Sequence, residues 1–108
     1  MPSPLFYRGR LYFVKDGGMV TSYDPANGKI ILNRERLGVS QQFVASPVAS
    51  GGNIYVASTP GKVVVFKAGD NLQVLEVNDL KEKITATPAV VDGKIYIRTD
   101  KHLYAFAE

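Results

Sequence analysis

A phrase of about a dozen residues occurs three times along the chain. Ser3-Pro4-Leu5-Phe6-Tyr7-Arg8-Gly9-Arg10-Leu11-Tyr12-Phe13-Val14 aligns with Ser46-Pro47-Val48-Ala49-Ser50-Gly51-Gly52-Asn53-Ile54-Tyr55-Val56-Ala57, and both align with Thr87-Pro88-Ala89-Val90-Val91-Asp92-Gly93-Lys94-Ile95-Tyr96-Ile97-Arg98. Tyr12, Tyr55 and Tyr96 are 43 and then 41 residues apart, and so are Gly9, Gly52 and Gly93. A second landmark follows at Tyr23, Phe66 and Phe106, after a shorter loop in the third copy. A period of this size marks an architecture built from one supersecondary unit that cannot bury its hydrophobic surface alone.

Each copy reads as strands. Leu11-Tyr12-Phe13-Val14, Ile54-Tyr55-Val56 and Ile95-Tyr96-Ile97 are rich in β-branched and aromatic residues, which suit a pleated, half-buried surface. Turns such as Gly52-Asn53 and Asp92-Gly93 suit tight hairpins, so each unit opens on one. A third strand follows at 19–23, 63–66 and 102–106, then a fourth at 29–33 and 73–77. Units at 3–45, 46–86 and 87–108 therefore hold four, four and three strands, about 2.75 four-stranded blades.

Val63-Val64-Val65-Phe66 is apolar on successive residues, whereas a sheet with one wet face alternates apolar with polar. Both faces of the unit must then be covered. Four-stranded antiparallel units of about 40 to 45 residues, each sheet between two neighbours, describe an all-β, partial β-propeller. A two-sheet sandwich is the rival, but it does not call for three equivalent units. A propeller closes with about four to eight blades, so one copy cannot close a ring. The expectation is either a C-terminal piece of a longer propeller or self-association into a homo-oligomer.

Composition narrows the function classes. The 108 residues form a single domain's worth of chain, with no Cys and no Trp, so there is neither a disulfide framework nor a thiolate metal site. No apolar run approaches the roughly 18 residues of a membrane-spanning helix, and the start has no signal-peptide pattern. The expectation is no direct membrane insertion. Thirteen basic against ten acidic residues give +3, and the whole excess lies in the first forty residues. The cations alternate with acids, which argues for solvated surface and against a nucleic-acid patch.

At the turn between third and fourth strands, Ser22-Tyr23-Asp24-Pro25-Ala26-Asn27-Gly28-Lys29-Ile30-Ile31-Leu32 resembles the blade signature of pyrroloquinoline-quinone-like (PQQ-like) propellers, Ala-x-Asp-x-x-Thr-Gly-Lys-x-x-Trp. Asp24, Gly28 and Lys29 match, Asn27 stands at the Thr, and Leu32 stands at the Trp. In the second unit Lys67, Asn71 and Leu75 replace the Asp, the Gly and the Trp. The resemblance covers essentially the whole chain. It implies either a quinone-dependent dehydrogenase or a non-enzymatic scaffold of the outer-membrane-assembly-lipoprotein branch. No residue matches the dehydrogenases' calcium, quinone or base positions, so the scaffold branch is expected, with no cofactor and with an exported, periplasmic setting implied by resemblance only. The alternatives are a dehydrogenase fragment whose cofactor site lies on other blades, or a carbohydrate-binding propeller.

Candidate chemistry is sparse. His102, the only histidine, reads as a surface or edge residue. Glu76, Asp79 and Glu82 could hold a cation but sit among Lys81 and Lys83 as a mixed, solvated turn. Gly17-Gly18, Gly51-Gly52 and Gly61 lack the strand-to-helix setting of a phosphate cradle and read as tight turns. Arg8, Arg10, Arg34 and Arg36 could form a basic rim for an acidic partner. Tyr12, Tyr55 and Tyr96 recur at equivalent places, so they read as packing residues whose hydroxyls reach a backbone partner. The expected function is a non-catalytic module that binds protein through its blade-end loops.

Overall fold

The computed structural model describes residues 3–39, 41–43, 46–84 and 86–107, the last without its side chain. The first unit's boundary at 45 and the last residue of the third unit lie outside the described residues. Among the described residues there are eleven strands and no helix, and hence none long and apolar enough to cross a membrane.

The strands form three antiparallel meanders. Sheet 1 comprises β1 (Leu5–Tyr7), β2 (Arg10–Lys15), β3 (Met19–Asp24) and β4 (Lys29–Arg36). Sheet 2 comprises β5 (Val48–Ser50), β6 (Asn53–Ala57), β7 (Lys62–Lys67) and β8 (Val74–Asp79). Sheet 3 comprises β9 (Ala89–Val91), β10 (Lys94–Arg98) and β11 (Leu103–Ala107). The partial propeller expected from the repeat is the observed architecture. Its opening hairpins turn on Arg8-Gly9, Gly51-Gly52 and Asp92-Gly93, with φ values of 49 and 76, 60 and 87, and 50 and 74 degrees. Two consecutive left-handed residues are what a two-residue type I′ turn demands.

Equivalent residues keep equivalent pairings: Tyr12 lies opposite Ser22, Tyr55 opposite Val65 and Tyr96 opposite Ala105. The fourth strand of sheet 1 runs to Arg36 and not 33, because two register shifts set its eight residues against the six of β3, with Arg36 opposite Met19.

Side chains alternate across each strand, and the alternation divides the core into two seams. On one side of sheet 2, Ile54, Val56, Val64 and Phe66 join Tyr12, Val14, Val20 and Leu32 of sheet 1. On the other side, Tyr55, Ala57, Val63 and Val65 join Ile95 and Ile97 of sheet 3. Every residue from Ile54 to Ala57 and from Val63 to Phe66 is buried. At about 1.5–3 kcal/mol for a fully buried aliphatic or Phe side chain, this central sheet contributes more burial energy than either neighbouring sheet. It explains why its sequence shows no polar alternation.

Candidate interaction surfaces

The crossings between sheets are stitched by polar groups at repeat spacing. Phe43 and Ile84, both fully buried, sit at the same place in the first and second crossing. The Phe43 amide donates to Asp16 Oδ1 at 3.2 Å, and the Ile84 amide donates to the Thr59 carbonyl at 2.9 Å. The next sheet is held in the same way: Thr59 donates its amide to the Gln42 carbonyl, and Asp100 donates its amide to the Lys83 carbonyl. A methyl group at Gly18 or at Gly61 would strike the carbonyl oxygen of Val39 or Glu82 respectively, so the crossing chain lies flat on a bare Cα in both seams.

A side-chain clip also recurs, seventeen residues apart each time. Ser58 Oγ donates to Gln41 Oε1 at 2.6 Å, and Thr99 Oγ1 donates to Glu82 Oε1 at 2.7 Å. The second clip is larger, because His102 Nδ1 lies 2.9 Å from both Glu82 oxygens and the Tyr104 hydroxyl donates to Oε1 at 3.2 Å. The Thr99 hydroxyl first, and then His102, lower the Glu82 pKa from its ordinary 4.5. Glu82 is thus drawn into sheet 3 and away from Glu76 and Asp79. Asp79 accepts from the Lys81 amide, and Glu76 accepts from Asn78. No group of three metal-ligating side chains forms among the described residues.

The residues that carry the blade signature build the β3–β4 turn. Asp24 Oδ1 accepts from the Ala26 amide at 3.0 Å, and the Gly28 amide donates to the Asp24 carbonyl at 2.8 Å with φ at 71 degrees. Asn27, at the signature's Thr, accepts the Lys29 amide at 2.9 Å. Asp24 also pairs with Arg10 at 3.5 Å, and Arg10 reaches across to Asp70 of the second unit at 3.2 Å. Arg8 lies with its guanidinium 5.3 Å from the centre of the Tyr7 ring.

Arg8 and Arg10 therefore stand at the hairpin-turn end of sheet 1. Arg36 pairs with Met19 at the opposite end, and Arg34 lies near it. The four arginines are not brought together. Of the three repeat tyrosines, Tyr12 is buried and its hydroxyl accepts the Gly69 amide at 3.1 Å, while burial pushes its pKa up. Tyr55 is buried toward sheet 3. Tyr96 is half-buried on the far face of sheet 3, since its neighbours Ile95 and Ile97 point to the seam.

The Arg10–Asp70 bridge and the two clips have no shared residue pattern in the sequence. The spacing of the clips does repeat: Gln41 and Glu82 are 41 residues apart, as are Ser58 and Thr99. It is hidden because the partners differ chemically between copies. A further polar line joins the unit openings, with the Ser3 amide donating to Ser46 Oγ at 2.9 Å and the Ser46 amide to Thr87 Oγ1 at 3.1 Å.

Among the described residues, two faces have no sheet against them. The outer face of sheet 1 carries Phe6 at 63% exposure and holds a cavity of about 390 Å³ beside Phe13 and Tyr23. The outer face of sheet 3 carries Leu103, also 63% exposed. Antiparallel meanders of four, four and three strands, stacked through apolar faces and joined by repeated crossings, define a partial β-propeller of PQQ-like repeats. The chain belongs to the family described as outer membrane protein assembly factor BamB, whose model matches residues 34–108. Among solved structures it is similar in fold to BamB from Moraxella catarrhalis, with a TM-score of 0.53 and 14% identity over 96% of this chain. The chain spans 41% of that relative's length. No protein with a curated description matches it.

Proposed function

We propose that the chain serves as part of a non-catalytic propeller scaffold that holds other proteins during outer-membrane protein assembly, in an exported, periplasmic setting. The family match over residues 34–108 carries this reading. The exposed apolar side chains Phe6 and Leu103 on the outer faces of sheets 1 and 3 support it, because exposed apolar surface marks association sites. Their cover is protein in this reading: further repeat units, a second copy, or a partner. Sedimentation of the 108-residue chain identifies the second copy as a mass above 11.8 kDa.

The test is cross-linking in a Gram-negative cell, with the chain directed to the periplasm and a photoreactive residue placed at Phe6 or Leu103. Adducts with proteins that handle outer-membrane polypeptides are expected. A chain that yields no protein adduct, yet gives a saturable spectral shift with a quinone cofactor and calcium, would overturn the reading in favour of a dehydrogenase part.

A further inference from the structure

The outer face of sheet 1 is built differently from the faces that sheets cover. Forty-three positions on from Thr21 and Tyr23 stand Val64 and Phe66, both with no exposed surface and both packed on sheet 1. Forty-three on from Lys15 stands Ser58, also fully buried. Sheet 1 therefore carries two hydroxyls and a cation where the covered face of sheet 2 has methyls, a bare ring and a small hydroxyl. A neighbouring blade's apolar face would leave these groups without partners, which costs about 1–3 kcal/mol for each buried one.

The backbone is also reshaped here. Val20 pairs with Glu35 and Ser22 with Leu32, so Asn33 and Arg34 together oppose Thr21 alone. This bulge has no counterpart in sheet 2, where Val63 to Val65 pair without a shift. Bulges re-aim side chains, and Arg34 adopts a φ of 51 degrees, a left-handed conformation uncommon outside glycine. The result is that Asn33, Arg34 and Lys15 line the same cavity as Phe13, Thr21 and Tyr23. The Phe13 and Tyr23 rings meet edge to face at 5.8 Å.

Among the described residues, Lys15 and Arg34 have no acid of their own. Ion pairs among the described residues involve only Arg10 and His102. Of the acids in this unit, Asp16 accepts from Phe43, Asp24 is held by Ala26 and Arg10, and Glu35 is paired with Val20, whose side chain faces the seam. Resting on the scaffold reading above, we propose that this cavity is a docking site for an acidic segment of a partner protein. A carboxylate would sit between Lys15 and Arg34, and an adjacent aliphatic or aromatic side chain would lie against Phe13 and Tyr23.

The test is an NMR titration of the ¹⁵N-labelled chain with a synthetic decapeptide in which glutamate alternates with leucine and phenylalanine. The same peptide with lysine for glutamate is the control. Saturable shifts at 13–15, 21–23 and 33–34 are expected, with binding at least tenfold weaker for the lysine peptide and further weakened by salt. The variants Lys15→Gln and Arg34→Asn should each weaken binding several-fold; Asn tolerates the left-handed conformation, so the fold should be kept. Equal binding of both peptides, shifts confined to other surfaces, or no saturable binding of the acidic peptide would overturn the proposal. So would the same shifts on concentrating the chain alone, which would assign the cavity to a second copy. Protein adducts from Phe6 or Leu103 that are unchanged in Arg34→Asn would leave the scaffold reading standing while the cavity proposal fell.

Discussion

Sheet 2 buries Val63, Val64, Val65 and Phe66 in succession, whereas the equivalent run of sheet 1 alternates: Val20 and Ser22 are fully buried, and Thr21 and Tyr23 are half-buried. The same repeat thus yields a doubly covered sheet in one place and a singly covered sheet in another, and side-chain polarity follows the cover. The two seams differ in a parallel way. The first closes its clip with Gln41, a neutral group, and the second with Glu82, a charged one that has gathered three donors. Burial is set by the repeat, while charge and hydrogen bonding are set copy by copy.

The most severe way to break the comparison is Phe66→Ala against Tyr23→Ala. Removing the fully buried ring should cost about 3–5 kcal/mol as lost burial plus a cavity. The half-buried Tyr23 should cost about 1 kcal/mol, scaling with its smaller buried area. Urea unfolding of both variants measures the gap, and equal losses would mean that the outer face of sheet 1 is covered in solution.

Next in size is Gly61→Ala, which puts a methyl against the Glu82 carbonyl at a φ of 120 degrees. About 2–4 kcal/mol is expected from overpacking and backbone strain together. Gly28→Ala, with nothing within 4 Å of the added carbon, should cost only about 1 kcal/mol from its left-handed backbone. Thermal unfolding of the pair separates crowding from strain.

The seams should also part company in acid. Because the Thr99 and His102 contacts lower the Glu82 pKa, Glu82 adds stability that is fully present above its ordinary 4.5 and lost as pH falls through its lower folded value. Glu82→Gln should flatten that part of the acid limb in urea unfolding at stepped pH. Gln41→Ala should lower stability without changing its slope with pH.

The smallest effect expected is at the polar line between unit openings. Ser46→Ala removes an exposed acceptor of the Ser3 amide and should cost about 0.5–1 kcal/mol. Hydrogen exchange should show faster opening at β1 with β6 and β7 unchanged.

The architecture was legible because it rests on apolar periodicity. Tyr12, Tyr55 and Tyr96 with their preceding glycines place the hairpins, and the unbroken apolar run at 63–66 requires cover on both sides. The strand count and meander order follow from those two signals. The candidate surfaces were less legible, because they depend on where polar residues meet across seams and bulges. The run from Lys29 to Arg36 contains no residue that announces two register shifts, so Arg34 reads as a rim residue when its side chain lines a cavity with Lys15. Arg8 and Arg36 look like members of one cluster until the register places them at opposite ends of a sheet.

Methyl-to-methyl NOE mapping of the two faces of β7 tests the stacked arrangement most directly. Val64 is expected to report only on the group containing Val14 and Val20, and Val63 and Val65 only on Ile95 and Ile97. Finding both faces in contact with a single sheet, or either face without any partner, would contradict it.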